Sequence, residues 1–572
     1  FLIHTYTGHD NNRDWYMFTQ RETRLTVEHM YHRWHPQIVS DLHQMGTKGA
    51  RLFLPPYLEP YEPNVDPALR DAIEELGSAV AAQLLKEGKS GIVTRALFDA
   101  WTPSRAYAHT HGGVRILSEC ASALLASPLR VPYGDLEPGL GYDPRRVSSN
   151  FQKPWPGGVW RLRDIMEYEL AASRLLLLHA AQHRESWLRR FLEVNRRAAS
   201  RLEPYAFLVP ERQRDTLGLE QLLLVMRLGE VEIERAGAPF FAERRSFPAG
   251  THVIRLAQPA GAFAKSLLER QAYPDVRLET LGPVSEPYDV TAHTLPLLLG
   301  VDVVRADRPF VAALSLEGDP RIQPGRVAQE GALLALDHTN ASLVALGRLL
   351  REGVPVRWAT RGFWDHGNRF AAGTLAAPGS ARALLGSLAA ELGTSASVLT
   401  HWPQGLALKS PRVGVYQSFV PTADEGWTRF VFEKEMDVSF ETLHDADFRS
   451  GDLGGFNAIV LPDQTPAALR DGNPPGSLPP EYVGGMGAAG LRRLREWVEG
   501  GGSLIALNQA SRLVSEGFGL PLQNVPAAFG EFRCPGSLLA ADLVSSSPLG
   551  HGLPKKAVVW FENGPVFEAP PA

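Results

Sequence analysis

Apolar positions along the chain follow two patterns that alternate: stretches with the 3.6-residue period of a helix, and short unbroken apolar runs typical of buried strands. Leu69, Ile73, Leu76, Val80 and Leu84 share one helical face. Asp66 precedes that helix as N-cap, Pro67 opens it and Gly88 supplies its stop. Arg51-Leu52-Phe53-Leu54, Gly91-Ile92-Val93-Thr94 and Val114-Arg115-Ile116-Leu117 read as strands. A helical stretch is predicted from Gln20 to Asp41, and a long helix, broken once, from about Trp160 to Ala199. Between them, residues 128–158 are rich in Pro, Gly and Asn and read as a loop. Helices alternating with buried strands predict an α/β fold.

The pattern restarts three times. Tyr205 to Val209 is a strand, followed by a helix from Leu217 to Leu228 and strands at Val231 to Ile233 and Gly250 to Leu256. It restarts near Phe310, with a strand at Leu333 to Leu336, a helix from Ala341 to Arg351 capped by Asn340, and a strand at Val354 to Trp358. From Pro411 onward, strands at Val413 to Tyr416, Ala458 to Leu461 and Ser503 to Leu507 surround a helix from Ala489 to Glu499. That last pattern predicts a doubly wound, flavodoxin-like unit. The expected domains are therefore 1–202, 203–305, 306–410 and 411–572, in keeping with roughly four domains for this length.

Composition narrows the partners. A net charge of −5 over 572 residues, with no basic block, argues against nucleic acid as the main partner. No apolar run reaches transmembrane length. Two cysteines, Cys120 and Cys534, make neither a disulfide framework nor a Cys-rich metal site. The chain starts at Phe1 rather than Met and reads as a fragment already under way.

Three short stretches carry candidate chemistry. Asn12-Arg13 offers an amide and a planar guanidinium fork that suit a substrate carboxylate, or else a turn in which Asn and Asp cap their own backbone. His43, before a Gly turn in Asp41-Leu42-His43-Gln44-Met45-Gly46, reads as a metal ligand or as an ordinary hydrogen-bonded side chain. Glu119 ends an apolar strand, as a general base raised toward neutrality by burial or as a solvated carboxylate.

Together, Asp10-Asn11-Asn12-Arg13-Asp14-Trp15, then Asp41-Leu42-His43, then the strand-terminal Glu119 resemble the zinc carboxypeptidases of the carboxypeptidase A superfamily, over about 1–202. The family's motif has Asn where this chain has Asp14. The wording is most similar to large bacterial members with extra C-terminal domains. The resemblance implies a partial mixed sheet with helices and a metallocarboxypeptidase that hydrolyses a peptide or amide bond next to a terminal carboxylate. It implies that Asn12 and Arg13 hold that carboxylate, that His43 is one zinc ligand, and that Glu119 activates the zinc-bound water. It also implies export to the periplasm or outside.

The chain departs from the family at its upstream motifs and at its mobile Tyr. None of its 17 His has Glu three residues later, so the family's first two zinc ligands have no match, nor does its upstream Arg. The family's mobile Tyr is expected near Phe98, and Tyr107 lies too close to Glu119; neither is assigned. The reading is of a truncated enzyme, whose chain as written binds zinc poorly and hydrolyses little. The alternative is a metal-free binding protein for carboxylate-ended peptides or cell-wall fragments. The last domain resembles the class I glutamine amidotransferase-like fold, with Asn508 where the family has a nucleophilic Cys, which implies a non-catalytic domain.

Overall fold

The computed structural model describes residues 7–570 other than 98, 278–283, 290, 526–533, 535, 545 and 563. The fold is α/β, in two compact units: Asn12–Arg212 with Gln221–Arg321, and Phe1–Asn11 with Gln213–Glu220 and Ile322–Ala572. No helix among the described residues is long and apolar enough to cross a membrane.

The first of these units opens with helical turns at Arg21–Thr26, Val27–Tyr31 and His32–Trp34. They end at His35, which is left-handed (φ 41°) ahead of Pro36. The helix expected to reach Asp41 therefore stops early, because proline disfavours helical conformation in the residue before it and β-branched Ile38 and Val39 favour a strand. That strand is β1 (Ile38–Met45). It is followed by β2 (Leu52–Phe53), α1 (Pro67–Lys86), β3 (Ile92–Val93) and β4 (Val114–Ala121). The sheet order is β1-β4-β2-β3. β1 runs parallel to β4 and β2 antiparallel to it, so the sheet is mixed.

α1 forms as its apolar period predicts, with the Asp66 side chain accepting from the Ala68 N–H at 2.9 Å. Its face of Leu69, Ile73, Leu76, Val80 and Leu84 is buried. A Cβ at Gly77 would lie 2.1 Å from the Pro55 carbonyl oxygen, so only glycine allows this approach. The long helix breaks at His183 into α2 (Leu162–Gln182) and α3 (Arg184–Ala199). At the end of the β1–β2 loop, the fully buried Arg51 donates to the carbonyls of Thr47 (2.6 Å) and Gly49 (2.8 Å). Its guanidinium lies over the rings of both Trp155 (4.5 Å) and Trp160 (5.0 Å), which meet edge to face, and burial pulls its pKa down to about 10.

The same unit holds an antiparallel sheet of β5 (Ala206–Val209), β6 (Glu234–Ala236), β7 (His252–Arg255), β8 (Val304–Ala306) and β9 (Leu314–Leu316), in the order β8-β5-β7-β6-β9. The strand expected at Val231 to Ile233 pairs only from Glu234, and the boundary expected near Ala306 falls inside β8. Helix Thr216–Leu228 follows β5, and α4 (Gly261–Leu268) follows β7.

The other unit repeats this wiring. Its strands β10 (Leu333–Leu336), β11 (Arg357–Ala359), β12 (Leu375–Pro378), β13 (Ala396–Leu399) and β14 (Gly405–Ala407) are ordered β13-β10-β12-β11-β14. Helices α5 (Asn340–Arg351) and α6 (Arg382–Leu392) take the corresponding places. The N-cap of α5 is Thr339 rather than the expected Asn340: its hydroxyl accepts from the Ser342 N–H at 3.2 Å.

Details of the repeat match too. A hairpin, Phe240–Ala242 with Arg245–Phe247, lies between β6 and β7, and another, Phe363–Asp365 with Asn368–Phe370, lies between β11 and β12. Each stacks its two Phe rings with centroids 5.2 Å apart. Gly250 (φ 89°) donates to Ala236 O at 2.8 Å, and Gly373 (φ 93°) to Ala359 O at 2.8 Å. Thr251 and Thr374 then each donate from the hydroxyl to the carbonyl three residues back, at 2.8 Å.

The unit with β10 to β14 also holds a four-stranded sheet that is wholly parallel: β15 (Val413–Tyr416), β16 (Phe440–Leu443), β17 (Ala458–Leu461) and β18 (Ser503–Ala506), in the order β16-β15-β17-β18. Helices α7 (Gly487–Glu499) and α8 (Ala510–Phe518) flank β18 in the chain.

Candidate functional site

Successive side chains of a strand point to opposite faces, so residues two apart share a face. Asp41 and His43 on β1 therefore point one way, as do Arg115 and Glu119 on β4. The parallel register sets His43 beside Glu119 and Val39 beside Arg115, which puts all four side chains on one face of the mixed sheet.

Asp41 links them. Its Oδ2 accepts from Arg115 Nε at 2.6 Å and also contacts Arg115 Nη2, while its Oδ1 lies 2.9 Å from His43 Nε2. Burial pushes the Asp41 carboxyl up, but the His43 hydrogen bond and the Arg115 charge outweigh it and hold the pKa at about 2. Arg115 Nη2 donates onward to the Asn12 side-chain oxygen at 3.2 Å. Glu119 is raised above the usual carboxylate range, chiefly by burial; the charges of His43, Arg105 and Arg115 oppose that shift.

The loop before helix Arg21–Thr26 is pinned by Asp14, which is 1% exposed. Its carboxylate accepts from the N–H and hydroxyl of Thr19 and from the Gln20 N–H, at 2.6 to 2.9 Å. Asp14 thus caps backbone, whereas Asn12 and Arg13 reach away from the loop. Arg13 Nε donates to Asp289 Oδ1 at 2.6 Å. Arg105, 5% exposed, places Nη2 3.0 Å from the other oxygen of the same carboxylate, with its guanidinium 4.9 Å from the Tyr288 ring centre. Burial lowers the Arg105 pKa and the Asp289 charge counters that.

His43, Glu119 and Asn12 are thus gathered through Asp41 and Arg115, and Arg13 sits on a carboxylate shared with Arg105. Arg115 was legible as a strand position four residues from Glu119, whereas Asp41, two residues from His43, was expected to end a helix and lies instead in β1. Arg105 and Asp289 were not: Asp289 is 276 residues from Arg13 in the chain. Phe98 lies outside the described residues. Tyr107 is buried in a stack on His111 and donates to Leu228 O at 3.0 Å.

A catalytic zinc takes three protein ligands and a water. Among the described residues, no group of three or more His, Cys, Asp and Glu is placed to hold a metal ion. The imidazole of His43 has Nε2 on Asp41, which is itself tied to Arg115. This donor set does not fit a zinc centre.

In the parallel-sheet region, Asn508 occupies a tight turn between β18 and α8 with φ 43°. Its Nδ2 donates to Asp463 at 2.7 Å. A cavity of about 290 Å³ lies at the C-terminal ends of β15 and β17, lined by Gln417, Ser418, Phe419, Glu425 and Gln464 among others.

Comparison of the chain with protein-family models, with curated proteins and with solved structures returns no match.

Proposed function

We propose that the mixed-sheet unit carries a metallocarboxypeptidase-type site for a peptide or amide that ends in a free carboxylate, in a protein exported from the cytoplasm. Asn12 and Arg13 hold the carboxylate. Glu119 is the base: burial raises its pKa, which suits it to take a proton from water beside the susceptible bond. Asp41 stays ionised and fixes His43 in place. The observation that carries this reading is the register of β1 on β4, which sets His43 beside Glu119 on the face where Arg115 reaches Asn12.

Zinc is the metal that the resemblance implies, with His43 as a ligand, but the described donors do not complete its shell and no step here runs through it. That observation favours a second reading, a metal-free binder of carboxylate-ended peptides. For residues 411–572, the all-parallel order β16-β15-β17-β18 and the turn at Asn508 support a flavodoxin-like, glutamine amidotransferase-like domain. An amide is no nucleophile, so this domain is proposed to bind or pack rather than catalyse.

The test is calorimetric binding of acetylated peptides with free or amidated C-termini to the full chain, with zinc content measured alongside. Free-carboxylate peptides bind preferentially, and Arg13→Ala weakens them about tenfold or more, the loss of a charge-assisted bond. Zinc stays well below one per chain. Turnover abolished by Glu119→Gln marks the enzyme. Carboxylate-dependent binding without turnover marks the binder, and equal binding of acid and amide sinks both.

A further inference from the structure

Two guanidiniums converge on one carboxylate of the chain itself, and the arrangement is asymmetric in exposure. Arg105 is 5% exposed and Asp289 11%, whereas Arg13 is 31% exposed and opens toward solvent. A buried cation without an anion is costly, and burial lowers the Arg105 pKa. A carboxylate in this place therefore stabilises the buried Arg105, and Arg13 shares it, whatever molecule supplies it. Asp289 supplies it from a bend outside the strands. The neighbouring Tyr288 is fixed by its ring against Arg105 and by its N–H, which donates to Asp99 at 3.1 Å. No strand pairing holds either residue, so they can leave without opening a sheet.

We propose that Asp289 stands in for the terminal carboxylate of a bound peptide, so that the chain occupies its own carboxylate clamp. This rests on reading Arg13 as that clamp. It adds two things: Arg105 is the second half of the clamp, and a peptide enters by displacing Tyr288 and Asp289. The ligand exchanges one carboxylate for another on the same two guanidiniums, so the charge balance around Arg105 is kept throughout. A substrate is therefore recognised in competition with residues 288–289 and binds more weakly than the clamp alone allows.

The experiment compares the full chain with Asp289→Asn, using acetylated tripeptides with free or amidated C-termini in calorimetry. Asp289→Asn keeps the size of the side chain and removes its charge. Free-carboxylate peptides are expected to bind the variant at least tenfold more tightly than the unaltered chain, amidated ones no better, and Arg13→Ala or Arg105→Met in the variant background to cancel the gain. Unchanged affinity in Asp289→Asn, with binding that still needs Arg13, overturns the displacement and leaves the clamp standing. No preference for the free acid in either protein overturns the clamp itself. A readout without any variant is amide hydrogen exchange in residues 284–289 of the unaltered chain. Saturating free-carboxylate peptide should speed it several-fold, and protection or no change on binding refutes displacement.

Discussion

The two antiparallel five-stranded sheets share one wiring and differ in what they present at the same corner. In the first, Arg235 on β6 lies opposite His252 on β7; in the second, the corresponding cross-strand pair is Trp358 and Leu375. Arg235 pairs with Glu211, and His252, 1% exposed, lies 2.9 Å from Glu317. Above Gly250 there is an open cavity of about 390 Å³ lined by Glu211, Arg235 and Ser315. Above Gly373 the space is filled: His551 lies 5.0 Å from the Trp358 ring, and Trp358 donates to His338 at 3.4 Å. The shared parts are backbone devices, namely the left-handed glycine, the threonine turn and the stacked hairpin. The chemistry facing the corner varies independently of them, so strand order alone says nothing of function.

Three kinds of substitution probe that comparison, each read by hydrogen exchange in the strands of the sheet concerned. The largest effect is expected from Phe247→Ala, at about 3–5 kcal/mol for a buried aromatic. Phe247 is fully buried, and its partner Phe240 also stacks on Phe310 at 5.1 Å. Phe370→Ala should cost less, because its partner Phe363 is only half-buried; equal losses would show that the third ring contributes nothing.

Next come the glycines. Alanine at either pays roughly 1–2 kcal/mol for a left-handed backbone. At Gly373 the new Cβ also meets His338 Nδ1 at 2.7 Å and His551 Cβ at 3.0 Å, whereas at Gly250 it meets the mobile end of Glu211 at 2.2 Å. Gly373→Ala should be the more destabilising; the reverse would mean that the filled corner yields easily.

The smallest effect is a pH slope. Burial lowers the His252 pKa despite Glu317. A histidine held neutral in the fold takes up its proton more readily when unfolded. Its contribution is therefore present above the usual value of about 6.5 and is lost as pH falls below it. His252→Leu, which copies Leu375, should flatten the stability of the first sheet between about pH 6.5 and the lowered native value. An unchanged slope would assign the acid sensitivity elsewhere, for instance to buried His109, whose pKa is about 4.

Much of the scaffold was legible where local rules act alone. Asp66 and Pro67 open α1 as their types require, and the apolar runs at Leu333 and Val413 are strands. What failed was decided by neighbours: Pro36 ended a helix whose period continued, and Thr339 displaced Asn340 as cap. The repeat was hidden because little beyond Ala236, Phe240 and Phe-x-Ala-Gly-Thr at 247–251, matched by Ala359, Phe363 and 370–374, is shared in sequence, while the rest of its likeness lies in strand order and hydrogen bonds. At the candidate site, Asn12, His43 and Glu119 were singled out by residue type and order, and the fold brings them near Asp41 and Arg115. Asp289 was not, since a long-range ion pair leaves no trace in spacing.

The stacked Arg51 gives the mixed-sheet unit an optical signature of its own. Two indoles held at 4.5 and 5.0 Å from one guanidinium are fixed chromophores in an asymmetric environment, and so contribute to the near-ultraviolet circular dichroism of the folded chain. Loosening of the β1–β2 loop would change that spectrum before the helices melt, a label-free view of the sheet that carries His43 and Glu119.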